Sequence, residues 1–543
     1  MKGNFLTQWI KPVQIPGMVL AFTIFTFVVL AIATLLTHSG TVDVTTIWSN
    51  PYYRHITQFS LYQAALSMLL SVLLAIPVSH ALFRRQFLGK TLLLKLFATT
   101  LVLPVLVAIF GLLAIYGNSG LVASVFAFFD RDLPFSIFGL NGILLAHVFF
   151  NLPFACRLFL QGLNSIPEKQ HQLASHLGMK HWHKFRFVEW PYIAGQLPHV
   201  AGLIFMLCFT SFATVMALGG GPKSTTVELA IYQAIKFDFD LETGALLALW
   251  QIFLCAILAI FIQKISRQHR LSSDYQGTIH TFYHDSLFSK CWDASWITMI
   301  FLLVLPPLMM VVVSGVNSQL LAVLSDVKFW MAFKHSLLIA FFAGGIAVSF
   351  AFFILLTSRQ WRLLGLNGRA DKVEMLATII LVTPGLVIST GLFLLLRDIG
   401  HLQSMAIYIV VFVNALMALP FVLKSLAIPM QQNIEKYELL CASLGIVSWQ
   451  RFYWIEWKAL KLPILHSFCL SFVLSVGDLS AIALFGSHSF STLPLYLFQL
   501  LGSYQMQSAA VVSLVLLLLS VGVFVAIEKV FKQKIEKENV SND

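Results

Sequence analysis

Long apolar runs alternate with short polar segments along the whole chain. A membrane-crossing helix needs about 20 mainly apolar residues, because it rises about 1.5 Å per residue through a hydrocarbon layer about 30 Å thick. Runs of this length predict twelve spans, at about 16–36, 57–83, 92–116, 140–162, 199–218, 243–263, 296–316, 334–356, 373–397, 404–427, 465–485 and 507–530. The pattern therefore predicts an all-α polytopic membrane protein with about twelve transmembrane helices.

The composition agrees with a membrane protein. Hydrophobic residues make up 58% of the 543 residues and charged residues only 11%, whereas soluble domains carry about 25% charged residues. The formal net charge of +11 requires no nucleic-acid partner, because basic segments beside anionic lipid headgroups account for it. The six cysteines have no paired spacing, so we expect neither a disulfide framework nor a metal site.

Basic residues indicate the orientation in the membrane. With the N-terminus in the cytoplasm, seven Lys and Arg fall in outer segments, two fall within spans, and the other 26 of 35 face the cytoplasm. Cytoplasmic segments normally carry this excess. We therefore expect both termini to be cytoplasmic and the protein to cross the membrane many times.

The two halves of the chain repeat one another at an offset of 267 residues. Leu152-Pro153-Phe154 matches Leu419-Pro420-Phe421, and the similarity continues for some 80 residues in total. Both copies lie on the same side of the membrane, so the repeat is parallel, with a pseudo-twofold axis along the membrane normal.

This duplication predicts five segments. They are a tail, first span and outer loop (1–56), a first repeated domain (57–264), a linker with the seventh span (265–330), a second repeated domain (331–530) and a cytoplasmic tail (531–543).

A charged, aromatic cassette occurs once in each half, at 165–198 and 432–463. The first contains "SHLGMKHWHKFRFVEWP" and the second "ASLGIVSWQRFYWIEWK". The shared positions are Leu177, Gly178, Trp182, Phe185 and Glu189 in the first, and Leu444, Gly445, Trp449, Phe452 and Glu456 in the second. Each cassette is predicted to be a helix, a glycine corner and a second short helix.

Two interpretations of the cassette aromatics remain. Trp and Phe at this depth could form an interfacial belt against lipid headgroups. They could also form a docking site, since an aromatic anchor with a basic rim is typical of binding hot spots. A repeated glycine corner and aromatic spacing favour docking.

The cassettes resemble the "EAA" loop of permease subunits of type I ABC importers, in which Glu-Ala-Ala is followed by a glycine and, nine residues later, by Ile-x-Leu-Pro. Nine residues separate Gly178 from Val188-Glu189-Trp190-Pro191, and nine separate Gly445 from Ile455-Glu456-Trp457-Lys458. The proline of the pattern is present only in the first cassette, as Pro191. Gln172-Leu173-Ala174 and Leu439-Leu440-Cys441 replace the eponymous triplet. Glu168 and Glu435, four residues earlier, are candidates for the missing charge.

The wider sequence, including "ALGGGPKSTTVELAIYQAI" and "SVGDLSAIALFG", resembles the fused double permeases of thiamine importers of Gram-negative bacteria. The resemblance implies a non-enzymatic subunit of the bacterial inner membrane that moves thiamine, with or without its phosphate esters, by alternating access. It implies two copies of a separate cytoplasmic ATPase, one docked on each cassette, and a periplasmic thiamine-binding protein. No cofactor, metal or catalytic residue is expected.

Other functions remain open at this point. Fused permeases for ferric iron share the architecture, and a gradient-driven transporter of twelve spans would share the repeat. The chain has few intramembrane charges for ion coupling, which counts against the second. A membrane enzyme would need a cluster of His and acidic residues, and no "HEXXH" occurs.

Asp478, in "LSVGDLSAIALFG", is the acid deepest in any predicted span. Intramembrane carboxylates are costly and usually face a cavity or a partner. It is a candidate for the translocation pathway of a cationic solute, and the alternative is a structural carboxylate capping nearby backbone.

Overall fold

The computed structural model describes residues 15–40, 48–265, 286–381, 383–399, 402–446, 448–487 and 490–540. These residues are helical or irregular, with no β-strand among them, so the all-α prediction is confirmed. Residues 1–14 and 41–47 of the first predicted segment, residues 266–285 of the predicted linker segment and residues 541–543 lie outside the described part.

The helices of the first half are α1 (Ile15–His38), α2 (Pro51–Arg84), α3 (Lys90–Val102), α4 (Val105–Tyr116), α5 (Leu121–Phe128), α6 (Leu140–Asn164), α7 (Glu168–His176), α8 (His181–Lys184), α9 (Trp190–Phe209), α10 (Phe212–Leu218), α11 (Val227–Lys236) and α12 (Leu241–Ile265). Those of the second half are α13 (Leu287–Gly315), α14 (Leu320–Ser325), α15 (Val327–Leu363), α16 (Asn367–Ala377), α17 (Gly385–Ile399), α18 (Leu402–Ser443), α19 (Ser448–Arg451), α20 (Trp457–Gly477), α21 (Ser480–Phe485), α22 (Leu493–Gly502) and α23 (Met506–Val540).

Eleven helices of the described part are long and apolar enough to cross a membrane, where the sequence predicts twelve. The difference lies at the predicted span 373–397, which is broken before Pro384 into α16, a 3₁₀ turn and the 15-residue α17. The predicted span 92–116 is broken at Pro104 in the same way. Proline lacks an N–H and disfavours helical geometry at the preceding residue, so both helices are interrupted there.

Each half is built around three helices that pack on one another, α2, α6 and α9 in the first and α15, α18 and α20 in the second. The first of each trio begins at a matching cap. The Asn50 side chain accepts a hydrogen bond from Tyr52 N–H, and the Asp326 side chain accepts one from Lys328 N–H. Such caps satisfy N–H groups that have no partner within the helix.

The leading helix of each half packs against the other half. Helix α1 contacts α15, α16 and α17, and α13 contacts α2 and α4. Two glycines at matching positions allow the close approach. A Cβ on Gly391 would lie 2.4 Å from Ala31 O of α1, and one on Gly111 would lie 2.4 Å from Pro307 O of α13. The first span is therefore a structural part of the opposite half.

Candidate coupling cassettes

The two cassettes have the same backbone. After α7 the chain turns at Gly178 (φ +63°), and after α18 it turns at Gly445 (φ +65°). An added Cβ would meet no atom within 4 Å at either glycine. The left-handed conformation itself, which costs other residues about 1–2 kcal/mol, is therefore the reason for glycine. The predicted corner is confirmed in both copies.

The segment after the corner differs from the prediction of a separate short helix. A single α-helical turn enters a π-helical turn, Phe185–Glu189 in the first cassette and Phe452–Glu456 in the second. Each π turn runs directly into a spanning helix, α9 or α20. The predicted spans 199–218 and 465–485 therefore belong to helices that begin inside the cassettes. A π turn holds one more residue than an α turn, so it shifts the faces that follow it.

The two cassettes differ at their start, where only the first has a proline. Pro167 stands immediately before α7, which is therefore detached from α6, whereas Ile434 at the matching place lies within the 42-residue α18. Proline cannot donate the backbone hydrogen bond that would continue the helix. The first cassette therefore has a break between two helices at a place where the second cassette is one continuous helix.

The glutamates of the π turns point inward. Glu189 is 1% exposed and Glu456 is 3% exposed. His80 Nε2 lies 2.8 Å from Glu189 Oε2, and Arg359 Nη2 lies 2.7 Å from Glu456 Oε1. His80 and Arg359 stand near the ends of α2 and α15, so a buried polar contact attaches each cassette to the first helix of its trio.

The second anchor is a chain of four charged side chains. Arg451 Nε lies 3.1 Å from Glu456 Oε1, and Arg451 Nη1 lies 2.6 Å from Glu438 Oε2. Together with Arg359, two guanidinium groups balance two carboxylates. We call this set the arginine anchor.

The first anchor has a lysine in place of one arginine and a histidine in place of one carboxylate. Lys184 takes the place of Arg451 and His171 that of Glu438, and His80 contacts Glu189 as Arg359 contacts Glu456. His171 is buried against the ring of Phe83. We call the set of His80, His171, Lys184 and Glu189 the histidine anchor. The two cassettes share a shape but differ in their electrostatics.

Apolar side chains cover the exposed surface of both cassettes. Leu177 and Leu444 are 64% and 63% exposed, and Trp182 is exposed beside Phe185, with 5.9 Å between ring centroids. Six further apolar residues, not predicted as docking residues, are also exposed: Leu173, Phe187, Leu439, Leu440, Tyr453 and Trp454. The apolar i, i+4 spacing of Leu173 and Leu177 on a short polar helix was the available signal. The side chain of Trp449 lies outside the described part.

The remaining predicted cassette residues face outward. Glu168 accepts a hydrogen bond from Gln172 Nε2 at 3.2 Å, and Glu435 accepts one from Gln431 Nε2 at 2.7 Å. Both contacts are solvent-exposed, so both carboxylates are accessible. Pro191 is exposed in the first turn of α9.

Asp478 lies in the break between α20 and α21. Its carboxylate accepts hydrogen bonds from Ser480 Oγ at 2.8 Å and Ala481 N–H at 3.3 Å. The neighbouring Gly477 packs against Pro104 of the first half. Asp478 therefore caps a short helix, as the structural alternative predicts, and it does so beside the boundary between the halves.

Comparison with known proteins supports this geometry. The family model described as "Binding-protein-dependent transport system inner membrane component" matches residues 71–270 and 362–537, one match in each half. The chain is 46% identical over 519 residues to the thiamine transport system permease protein ThiP of Salmonella typhimurium, covering 95% of this chain and 96% of that protein.

Two further relatives carry the same name. ThiP of Escherichia coli is 47% identical over 488 residues, which is 90% of this chain and 91% of that protein. ThiP of Haemophilus influenzae is 42% identical over 505 residues, or 93% of each. With two family matches, a multi-pass helical fold and paired cassettes, the chain belongs to the family of binding-protein-dependent transport system inner membrane components.

Proposed function

We propose that the chain is the transmembrane permease subunit of an ATP-driven importer that moves thiamine from the periplasm to the cytoplasm by alternating access. The observation that carries the proposal is 42–47% identity, over at least 90% of the chain, to permeases named for thiamine transport. The sulfate permease CysW of Synechocystis is 25% identical over 42% of the chain. The much higher identity to the thiamine permeases does not favour ferric-iron import or gradient-driven transport.

The proposed complex contains two copies of a cytoplasmic ATPase subunit and a periplasmic thiamine-binding protein, in the bacterial inner membrane. Both termini of the chain would be cytoplasmic, which requires the broken segment of α16, the 3₁₀ turn and α17 to cross the membrane as a twelfth span. ATP would be hydrolysed on the separate subunit. The basic excess of the cassette side and the "EAA" resemblance support this orientation.

Each cassette is proposed to dock one ATPase subunit. The exposed residues Leu177, Trp182, Leu444 and Trp454 supply the apolar anchors, and such anchors dominate protein interfaces. Glu168 and Glu435 are proposed to supply the charge that the "EAA" pattern places one turn later. Pro191, which the second cassette lacks, would make the two contacts unequal.

The buried cassette residues are proposed to transmit force rather than to touch the ATPase. Glu189 and Glu456, with Phe185 and Phe452 beside them, tie the cassettes to α2 and α15. Switching a two-state transporter from about 1:99 to 99:1 needs about 5.5 kcal/mol of differential interaction. A rigidly anchored cassette can transmit such a difference.

Asp478 is proposed to lie beside the path of the cationic vitamin. Its place at the boundary of the halves supports this role, and its capping of α21 is compatible with it. In the first half Ser211 stands at the matching place, 2.8 Å from His147 Nε2. The single acid would make the path asymmetric.

The test is uptake of labelled thiamine into proteoliposomes holding the permease with its cognate ATPase and binding protein. The informative variant combines Leu177→Glu with Leu444→Glu. Its matched control combines Leu88→Glu with Leu364→Glu, two exposed leucines that follow α2 and α15 outside the cassettes. We expect the cassette variant to lose ATPase co-purification and uptake, and the control to keep both.

Two results would contradict the proposal in different ways. Uptake that persists without the ATPase would indicate a gradient-driven transporter. An ATPase that docks normally while thiamine is not taken up would retain the coupling role and reject the substrate.

A further inference from the structure

A lysine joins the two halves at the end of the molecule away from the cassettes. Lys236, the last residue of α11, donates hydrogen bonds from Nζ to Leu484 O at 3.1 Å and Gly486 O at 3.0 Å. Both acceptors belong to the second half, at the end of α21. We call this contact the Lys236 link.

Helix α2 shows how far the link lies from the first cassette. His80 of α2 holds the cassette through Glu189, and Ser60 of the same helix accepts a hydrogen bond from Val227 N–H at 3.0 Å. At 1.5 Å per residue, Ser60 and His80 are about 30 Å apart along the helix. Val227 begins α11, so the helix that carries Lys236 is attached to the far end of α2.

The chemistry of the link suits a lysine. The last carbonyl groups of a helix have no N–H partner within it and carry partial negative charge, so they favour a cation. The other end of α21 is capped by Asp478, which accepts from Ala481 N–H. This short helix is thus held at one end by its own acid and at the other by a base from the opposite half.

Within the described residues, no equivalent bond runs from the matching place of the second half to the first half. At the matching place in the second half, α22 ends with Gly502, which has no side chain. Leu218 O, which matches Leu484 O, accepts from Gly139 N–H at 2.7 Å within its own half. The cross-half bond therefore depends on a single side chain.

We propose that Lys236 is a positioning residue that holds the two halves together at this end and must release Leu484 and Gly486 before the end opens. A bond present in one of two states stabilises that state, so its loss shifts the population towards the other. The place of this step in a transport cycle rests on the proposed function, whereas the closure itself does not.

The first test uses the permease alone in proteoliposomes, without ATPase, binding protein or thiamine. A reporter cysteine, Ser480→Cys, stands one short helix inward from the link. The exposed Cys291 is changed by Cys291→Ser, and the other five cysteines are buried. The rate of labelling by a membrane-impermeant thiol reagent then measures how often this end opens.

We expect Lys236→Met to raise the labelling rate about tenfold, which corresponds to about 1.4 kcal/mol. Lys236→Arg, which keeps a cationic donor, should stay within about twofold of the parent. Lys223→Met, which removes an exposed lysine at the same end, is the matched control and should change nothing. If Lys236→Met labels no faster than Lys223→Met, the proposal is overturned.

Two further readouts separate closure from folding and from the proposed function. If Lys236→Met inserts poorly, Lys236→Gln keeps a neutral donor and should give an intermediate rate, and a parental rate would again count against the link. In the full complex, Lys236→Met should also raise ATP hydrolysis measured without binding protein. Faster labelling in a permease whose parent does not import thiamine would support the link and reject the substrate.

Discussion

The arginine anchor should tolerate loss of its central carboxylate far less than the histidine anchor does. The perturbation is Glu456→Gln, compared with Glu189→Gln at the matching place. Glutamine keeps the shape and removes the charge. In the second cassette this change leaves Arg359, which is 5% exposed, without its carboxylate 2.7 Å away.

The expected magnitudes follow from burial and from which bases can become neutral. Removing one partner of a buried ion pair costs about 3–5 kcal/mol, and arginine stays charged in proteins. In the first cassette the corresponding bases are a histidine and Lys184, a lysine whose pKa is lowered by burial, so we expect Glu189→Gln to cost about 1–3 kcal/mol. The gap should be about 2 kcal/mol.

The assay is denaturation of the purified permease in detergent, followed with and without His80→Arg. This substitution gives the first cassette the base of the second. We expect His80→Arg to increase the cost of Glu189→Gln towards that of Glu456→Gln, because the two residues in contact are then a full ion pair. Equal costs of the two glutamine substitutions in the parent chain would refute the reasoning.

Three further predictions concern backbone strain and pH. Gly178→Ala and Gly445→Ala should each destabilise the cassette by about 1–2 kcal/mol because of positive φ, while Gly368→Ala, in the first turn of α16, should not destabilise the protein. Burial, reinforced by Lys184, lowers the pKa of His171, so the permease should lose stability as pH falls below about 6.5, and His171→Met should remove that loss. Glu228 is buried in α11, and this burial raises its pKa to about 8. Stability should therefore fall as pH rises from about 4.5 to 8, and Glu228→Gln should abolish the fall.

Thermal denaturation across this pH range checks all three. The signs follow from where each proton is held. Folding disfavours protonation of His171 and deprotonation of Glu228, so the unfolded chain gains the proton of His171 in acid and releases that of Glu228 in base. Denaturation midpoints of the His171 and Glu228 variants that follow the parent at every pH would contradict these assignments, and a Gly445→Ala midpoint equal to that of Gly368→Ala would contradict the strain.

The sequence was sufficient for the features that depend on local pattern. Apolar run length predicted the helical class, and repetition at one offset predicted the duplication. Gly178 and Gly445 were identified as corners because both copies place a glycine after a helical segment, and a left-handed backbone conformation favours glycine. A single glycine after a helical segment would have been a weak signal, and its repetition in the second copy made the prediction specific.

The features that sequence analysis missed depend on distant parts of the chain. Glu189 contacts His80 and Glu456 contacts Arg359, each about 100 residues away in the sequence. A π turn follows from how a helix fits its neighbours, and the residues Phe185–Glu189 carry no propensity that would announce it. The packing of the leading helix against the opposite half was also not predictable, because α1 is apolar on every side and lacks a polar face that would indicate its partner.

The measurement that tests the central claim most directly is ATP-dependent uptake of labelled thiamine by the reconstituted complex. The account predicts uptake that requires ATP, the ATPase subunit and the binding protein together, and that disappears in the Leu177→Glu, Leu444→Glu variant. Uptake that needs only a proton or sodium gradient, or that survives in this variant, would contradict it.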